Sequence, residues 1–209
     1  TDDDSVLVAP GLPFYPIATI HTEDPTNFDA DSANVRCRIG GVVYGVNLRK
    51  TGLGFYINDH TGGIYIFSPT KTYNYVPTEG DSVIVQGKVS QNQGVINTGF
   101  TEFTFLDTVY KVSSGNGLLA PIVLGGRPTE DEESYLVRVN GLTYTSGWTN
   151  SGPGFTVKAS IGATSYTIRI DSLTTAYGTA QPSKFDVIGL VSQYDTSAPH
   201  DFFYTINLR

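Results

Sequence analysis

The sequence predicts an all-β chain built as two tandem five-stranded barrels, and three observations carry that prediction. First, the chain repeats itself: Gly41, Tyr44, Gly54 and Phe55 return as Gly141, Tyr144, Gly154 and Phe155, and Asp81–Gln91 (DSVIVQGKVSQ) returns as Ser183–Gln193 (SKFDVIGLVSQ). Such self-similarity marks two copies of one structural unit. Second, 13 Tyr, 11 Phe and 23 Gly, with abundant Val, Ile and Thr and no Met, describe pleated, turn-rich chain. Third, apolar residues alternate with a period of two, and no window sustains the 3.6-residue period of a helix. At 209 residues each copy has room for its own core. The reading divides the chain into an acidic, proline-containing leader (1–33), a first barrel (34–110), a linker (111–133) and a second barrel (134–209).

The leader holds four prolines, seven acids and a short apolar run, Ile17–Ile20, expected to dock on the first barrel as a strand-like segment. Asp29 and Asp31 have the spacing of calcium ligands, but Asn34 and Gly40 stand where an EF-hand needs its turn glycine and bidentate glutamate. They read as turn formers.

Val35–Leu48 is the first strand, and Gly40-Gly41 in its middle predict a bulge or bend at a barrel corner. Phe55–Ile57 and Ile64–Phe67 are strands joined by a hairpin whose Gly62-Gly63 supplies the tight turn. Val83–Val89 is the fourth strand, Gln91–Gly94 its turn, and Val95–Thr98 with Phe103–Val109 closes the sheet. Five strands in this order, with a glycine-bent first strand and a longer excursion before the fourth, match the OB-fold barrel, whose closure removes the exposed edges that Val- and Tyr-rich strands would offer. In the linker, Gly115, Gly117 and Ala120 fit a dinucleotide fingerprint, but Pro121 follows at once and no helix opens there to hold a phosphate. Tyr135–Thr145, Gly154–Ala159, Ser165–Ile170, Phe185–Ser192 and Phe202–Leu208 then repeat the five strands.

Net charge is −7, and residues 1–33 carry seven acids and no Lys or Arg, so both barrels are near neutral. Neither has the basic excess that non-specific phosphate binding normally needs. One cysteine, Cys37, excludes an internal disulfide and a cysteine zinc cluster and reads as a buried strand thiol. No run of twenty apolar residues could span a membrane. The chain opens at Thr1 without an apolar signal region and reads as a mature or excised part of a longer protein with covalent neighbours.

Three histidines, His21, His60 and His200, form no metal-ligand motif, and neither a nucleophile elbow nor a P-loop occurs. The expectation is a non-catalytic chain without cofactor or metal. Binding is the better reading. Alternation sends Phe55, Ile57, Ile64 and Ile66 into the first barrel and Tyr56, Tyr65 and Phe67 onto its outer face, where OB-folds present aromatics to bases or sugars. Arg49 and Lys50 flank that face from the loop between strands one and two, and Lys88 adds a charge from strand four. A competing reading has the same aromatics covered by the leader or by the other barrel. The corresponding face of the second barrel reads Thr156, Lys158, Thr167 and Arg169, without an aromatic, although Trp148 sits in its first loop. The first barrel is therefore the expected site, with the second a spacer.

The run Val35–Phe67, with its GVVYGVNLRKTGLGFYINDHTGGIYIF, together with Gly80–Val83 and Gly87–Val89, resembles OB-fold modules of secreted bacterial nuclease- and phosphatase-like proteins and of multidomain surface proteins that carry lamin-tail domains. The second half, from Glu133 to Gly141, is similar to the repeat that follows such modules. The resemblance implies an exported or cell-surface accessory region that binds single-stranded nucleic acid, with any catalysis on another domain. Carbohydrate binding or adhesion on the same aromatics, and a purely structural spacer, are the alternatives.

Overall fold

The computed structural model describes residues 11–92, 97–196 and 199–209, with backbone alone at 92 and 97–100 and at 101. The start of the leader and part of the turn expected at Gln91–Gly94 lie outside these residues. Strands β1 (Arg36–Tyr44), β2 (Leu53–Asn58), β3 (Gly63–Ser68), β4 (Ser82–Asn92) and β5 (Asn97–Ser113) close into a barrel in the order β1-β2-β3-β5-β4. β3 and β5 run parallel, and β1 returns to pair antiparallel with β4. Strands β7 (Leu136–Ser146), β8 (Gly154–Ile161), β9 (Thr164–Asp171), β10 (Lys184–Gln193) and β11 (Tyr204–Leu208) repeat that connectivity, with β9 and β11 parallel and β10 closing onto β7. The chain is thus nearly all-β, with two tandem OB-fold-like barrels. A two-residue strand, β6 (Ile122–Val123), lies in the linker and pairs in parallel with β7.

The period-two pattern fills each barrel as expected. Phe55, Ile57, Ile64 and Ile66 are fully buried with Cys37, Ile39, Val83, Val85 and Phe103; Val137, Val157, Ile168 and Val191 fill the second core. β1 passes from β4, paired through Val42, to β2, paired from Val42 onward. At that corner a Cβ on Gly41 would meet the Asn58 carbonyl oxygen at 2.9 Å. The glycine is there because two backbones approach.

The repeated glutamines do the same work in both copies. Gln91 accepts from Ala30 N at 2.7 Å and donates to Phe28 O, fastening the leader. Gln193 donates to Glu130 Oε1 at 2.8 Å and to His200 O, fastening the linker and the last loop. The repeated glycine of β10, Gly189, sits where a Cβ would lie 2.4 Å from Asn207 O. Gly189→Ala is expected to cost about 1–3 kcal/mol through overpacking, read as a fall in thermal midpoint.

The apolar run of the leader docks, but as a single helical turn, α1 (Ile17–Ile20), rather than as a strand. Its reason is local: the β2–β3 turn offers Asp59 Oδ2 to Ile17 N at 2.8 Å and Thr61 Oγ1 to Ala18 N at 3.1 Å, which satisfies the free amides of the turn. Ile17 and Ile20 then enter the first core. Among the described residues, no helix is long and apolar enough to cross a membrane.

The two barrels pack on each other through Tyr44, Tyr56 and Tyr65 of the first and Leu136 and Leu190 of the second. Polar contacts ring this seam. Asn207 Nδ2 donates to Tyr56 Oη at 2.8 Å, Arg209 pairs with Glu79, and Tyr135 Oη donates to Thr61 O at 3.2 Å.

Candidate ligand-binding groove

The outer face of β2 and β3 does carry Tyr56, Tyr65 and Phe67 in a row, Tyr56 tilted against Tyr65 at 4.9 Å between centroids and Tyr65 stacked on Phe67 at 6.5 Å. It is not open, however. Tyr56 is 1% and Tyr65 9% exposed, because the second barrel lies on them. Burial pushes both phenol pKa values up. The expectation of an exposed stacking face is corrected for these two residues: the face is outside the barrel but inside the molecule. Phe67 is half-buried at the margin of the seam, with the Arg49 guanidinium 4.8 Å above its ring. Arg49 also donates to Thr51 O of its own loop at 3.1 Å and to Pro69 O just after β3 at 3.3 Å, so its fork is engaged by backbone carbonyls. Lys50 is exposed in that loop. Lys88 belongs to a different face: its Nζ lies 4.4 Å from the centre of the Phe105 ring and donates to Asn34 Oδ1 at 2.9 Å. The structure therefore groups Arg49, Phe67, Tyr65 and Tyr56, leaves Lys50 beside them and sets Lys88 apart.

The equivalent face of the second barrel, on β8 and β9, is where a groove opens. Lys158 stands exposed on β8 and donates to Thr167 Oγ1 of β9 at 2.6 Å. The outward positions of these strands, Thr156, Lys158, Thr167 and Arg169, include no aromatic, but the loop between β10 and β11 supplies two. Phe202 is 58% and Phe203 70% exposed. With Arg127, Pro128 and Thr129 of the linker on the other side, these residues line a cavity of about 400 Å³.

The loop is anchored from below, which is what throws the rings outward. His200 is buried and its Nδ1 lies 2.9 Å from Asp195 O; Phe202 N donates to Asp195 Oδ2 at 3.1 Å; and Tyr204 Oη donates to Glu130 Oε1 at 2.6 Å. Phe203 has φ 62°, a left-handed conformation that aromatic residues seldom adopt. Strain of this kind persists where the surroundings over-determine it, and it clusters at binding sites. The last strand was expected to begin at Phe202; it begins at Tyr204 because Phe203 cannot continue an extended ladder. That misplacement hid the groove in the sequence. The signal that could have shown it is the Phe202-Phe203 doublet, since strict alternation would bury one ring and expose the other.

No family model matches the chain, and no curated protein matches it. Among solved structures the chain is similar to one from a structure described as "Molecular basis for abrogation of activation of pro-inflammatory cytokines", at 10% identity and TM-score 0.35, over 83% of this chain and 96% of that one. It is also similar to one described as "Crystal structure of the tetrameric p202 HIN2", at 5% identity and TM-score 0.33, over 88% and 99% of the two chains. Likeness at that level carries no argument about function. The tandem OB-fold-like architecture stands on the strand topology itself, and the resemblance to modules of nuclease-like and lamin-tail proteins finds no support in these matches.

Proposed function

We propose that the chain is a non-catalytic binding module that holds a short stretch of single-stranded nucleic acid in the groove of the second barrel. One observation carries this reading: two exposed aromatic rings, Phe202 and Phe203, share a groove with Lys158 and Arg127 on the β8–β9 face beside the β10–β11 loop. In OB-folds that strand pair and that loop are the ligand-binding elements. Each ring offers a stacking surface worth about 1–3 kcal/mol per base, and each cation one phosphate contact. A net charge of −7 opposes a polyanion, so stacking rather than charge supplies most of the affinity. The exported, accessory placement belongs to the same proposal and rests on the sequence resemblance alone.

A carbohydrate reading has its own support. Asp201 Oδ1 is buried in the groove wall without a hydrogen-bond partner among the described residues, and Thr129, Ser165 and Thr167 line the same space. A carboxylate acceptor beside hydroxyls suits sugar hydroxyl groups better than phosphates.

Titration of a short fluorescent single-stranded oligonucleotide at low and at physiological salt separates the two. Binding is expected to weaken with a log–log salt slope of about −1.4, from two phosphate contacts. Phe202→Ala with Phe203→Ala is expected to weaken it at least about thirtyfold, the loss of two stacked bases. An unchanged affinity in that double variant, with loss in Arg49→Ala/Lys50→Ala instead, would move the site to the first barrel. Salt-insensitive binding of a glycan, with none of the oligonucleotide, would replace the nucleic-acid reading by the carbohydrate one. Turnover of the oligonucleotide would overturn the non-catalytic assignment.

A further inference from the structure

A second cavity, about 350 Å³, opens where the leader, the β2–β3 turn and the start of the second barrel meet. Glu130 belongs to a single 3-10 turn, Glu130–Glu132, held by a capping box between Thr129 and Glu132, and Glu133 follows it. The leader brings His21 and Glu23 to the same place. His21 Nε2 lies 2.9 Å from Glu133 Oε1, across 112 residues of sequence, and Glu133 is 1% exposed. The donor atoms of His21, Glu23 and Glu133 all lie within 4.8 Å of one another.

Three features make this more than an acidic patch. An imidazole belongs to the set, which adds a nitrogen donor to the carboxylate oxygens. Glu130 lines the same cavity: Oε1 accepts from Tyr204 Oη and Gln193 Nε2, and its carboxyl group also meets that of Glu23. Finally, the residues lining the cavity include Glu23, Glu130, Asp131 and Glu133 but neither Lys nor Arg.

We propose that His21, Glu23 and Glu133, with Glu130 beside them, bind one divalent transition-metal ion that fastens the leader to the end of the linker, at the entry to the second barrel. One nitrogen among carboxylate oxygens selects this class, since zinc, cobalt and manganese accept mixed N/O sets whereas calcium and magnesium favour oxygen alone. Donors bonded at about 2.1 Å to one tetrahedral ion lie about 3.4 Å apart, so a pair standing at the 4.8 Å limit closes by about 1.4 Å on binding. Side-chain rotation supplies that closure without moving a strand. The ligands come from segments that the sequence places far apart, so no motif announces the site.

The test uses the full chain, stripped with a chelator and titrated with Co²⁺ under visible absorption, with Zn²⁺ as competitor. One equivalent of Co²⁺ is expected to bind with ligand-field bands, to be displaced by Zn²⁺, and to raise the thermal midpoint. Glu23→Gln, at the half-buried edge of the cluster, is expected to weaken binding at least about tenfold. Without metal it is expected to leave the midpoint unchanged or higher, since a like charge has gone. A merely structural Glu23 would instead lower the midpoint and leave Co²⁺ affinity alone. His21→Asn is expected to alter the ligand-field bands, and His60→Asn, in the exposed turn, to leave them unchanged. Absence of Co²⁺ and Zn²⁺ binding, saturation with Ca²⁺ alone, or full affinity in Glu23→Gln would each overturn the site.

Discussion

Tyr56→Ala combined with Tyr65→Ala is expected to destabilise the chain by about 5 kcal/mol and to lower its thermal midpoint by about 10–20 °C. Truncating a fully buried aromatic costs about 3–5 kcal/mol, through lost transfer free energy and the cavity left behind. The two rings touch, 4.9 Å between centroids, so the losses share one cavity and do not add in full. Both rings lie against Leu136 and Leu190, and the hydroxyl of Tyr56 receives Asn207 Nδ2. The damage therefore falls on the seam between barrels. Small-angle scattering should show an increased radius of gyration while far-ultraviolet circular dichroism keeps its β signature. Tyr56→Phe keeps the ring and removes only the hydroxyl, and about 1 kcal/mol is the expected cost. A double alanine variant that loses under about 2 kcal/mol would show that the seam contributes little. Oligonucleotide affinity, measured on the folded fraction, is expected to be unchanged, because the groove at Phe202 and Phe203 lies on a different face.

That prediction follows from what a period-two pattern can and cannot say. Alternation along FYI and IYIF separates Phe55, Ile57, Ile64 and Ile66 from Tyr56, Tyr65 and Phe67, and the structure keeps the division. Pattern alone does not say whether an outward ring meets solvent or another barrel, since both are outside the barrel wall. Gly54 held a further clue: a Cβ there would lie 2.3 Å from Tyr65 Oη, so the glycine makes room for a ring pressed flat on the strand. A ring lying flat is a packed ring.

The groove on the second barrel was hidden for the opposite reason. Its strands offer Thr156, Lys158, Thr167 and Arg169, which suggest a bare face, while the aromatics that complete the groove arrive from a loop whose shape depends on Asp195, His200 and Gln193. Loop placement of that kind is tertiary, and no local pattern encodes it. The His21–Glu133 cluster is more remote still, because its members are joined only after both barrels and the leader have folded. The topology, by contrast, was legible because each strand, the bend glycine Gly41 as Gly141, and the paired Gln91 and Gln193 occur twice, and each copy corroborates the other.

Glu102 provides the second large effect, a loss of stability with rising pH. It lies on β5 opposite Tyr65, is 1% exposed, and both carboxyl oxygens are buried without a hydrogen-bond partner among the described residues. Burial pushes its pKa up to about 8 from an ordinary 4.5; the Arg49 charge pulls it down and the Glu133 charge adds to the rise. The folded chain thus holds the proton that the unfolded chain releases. Below about pH 4.5 both states keep it and folding incurs no penalty. Between about pH 4.5 and 8 the unfolded state gains from ionisation that the folded state forgoes, so stability falls as pH rises. At 1.36 kcal/mol per pH unit of difference, about 3–4 kcal/mol is expected to be lost between pH 5 and pH 8.5. Glu102→Gln has nearly the same shape and no proton to lose. Urea unfolding with chelator present, at half-unit steps of pH, should give a variant whose stability declines less by that amount, matching wild type near pH 5 and exceeding it above pH 8. Parallel pH profiles for the two proteins would mean that Glu102 ionises in the folded chain at its ordinary pKa, and that the interior beside Tyr65 admits water.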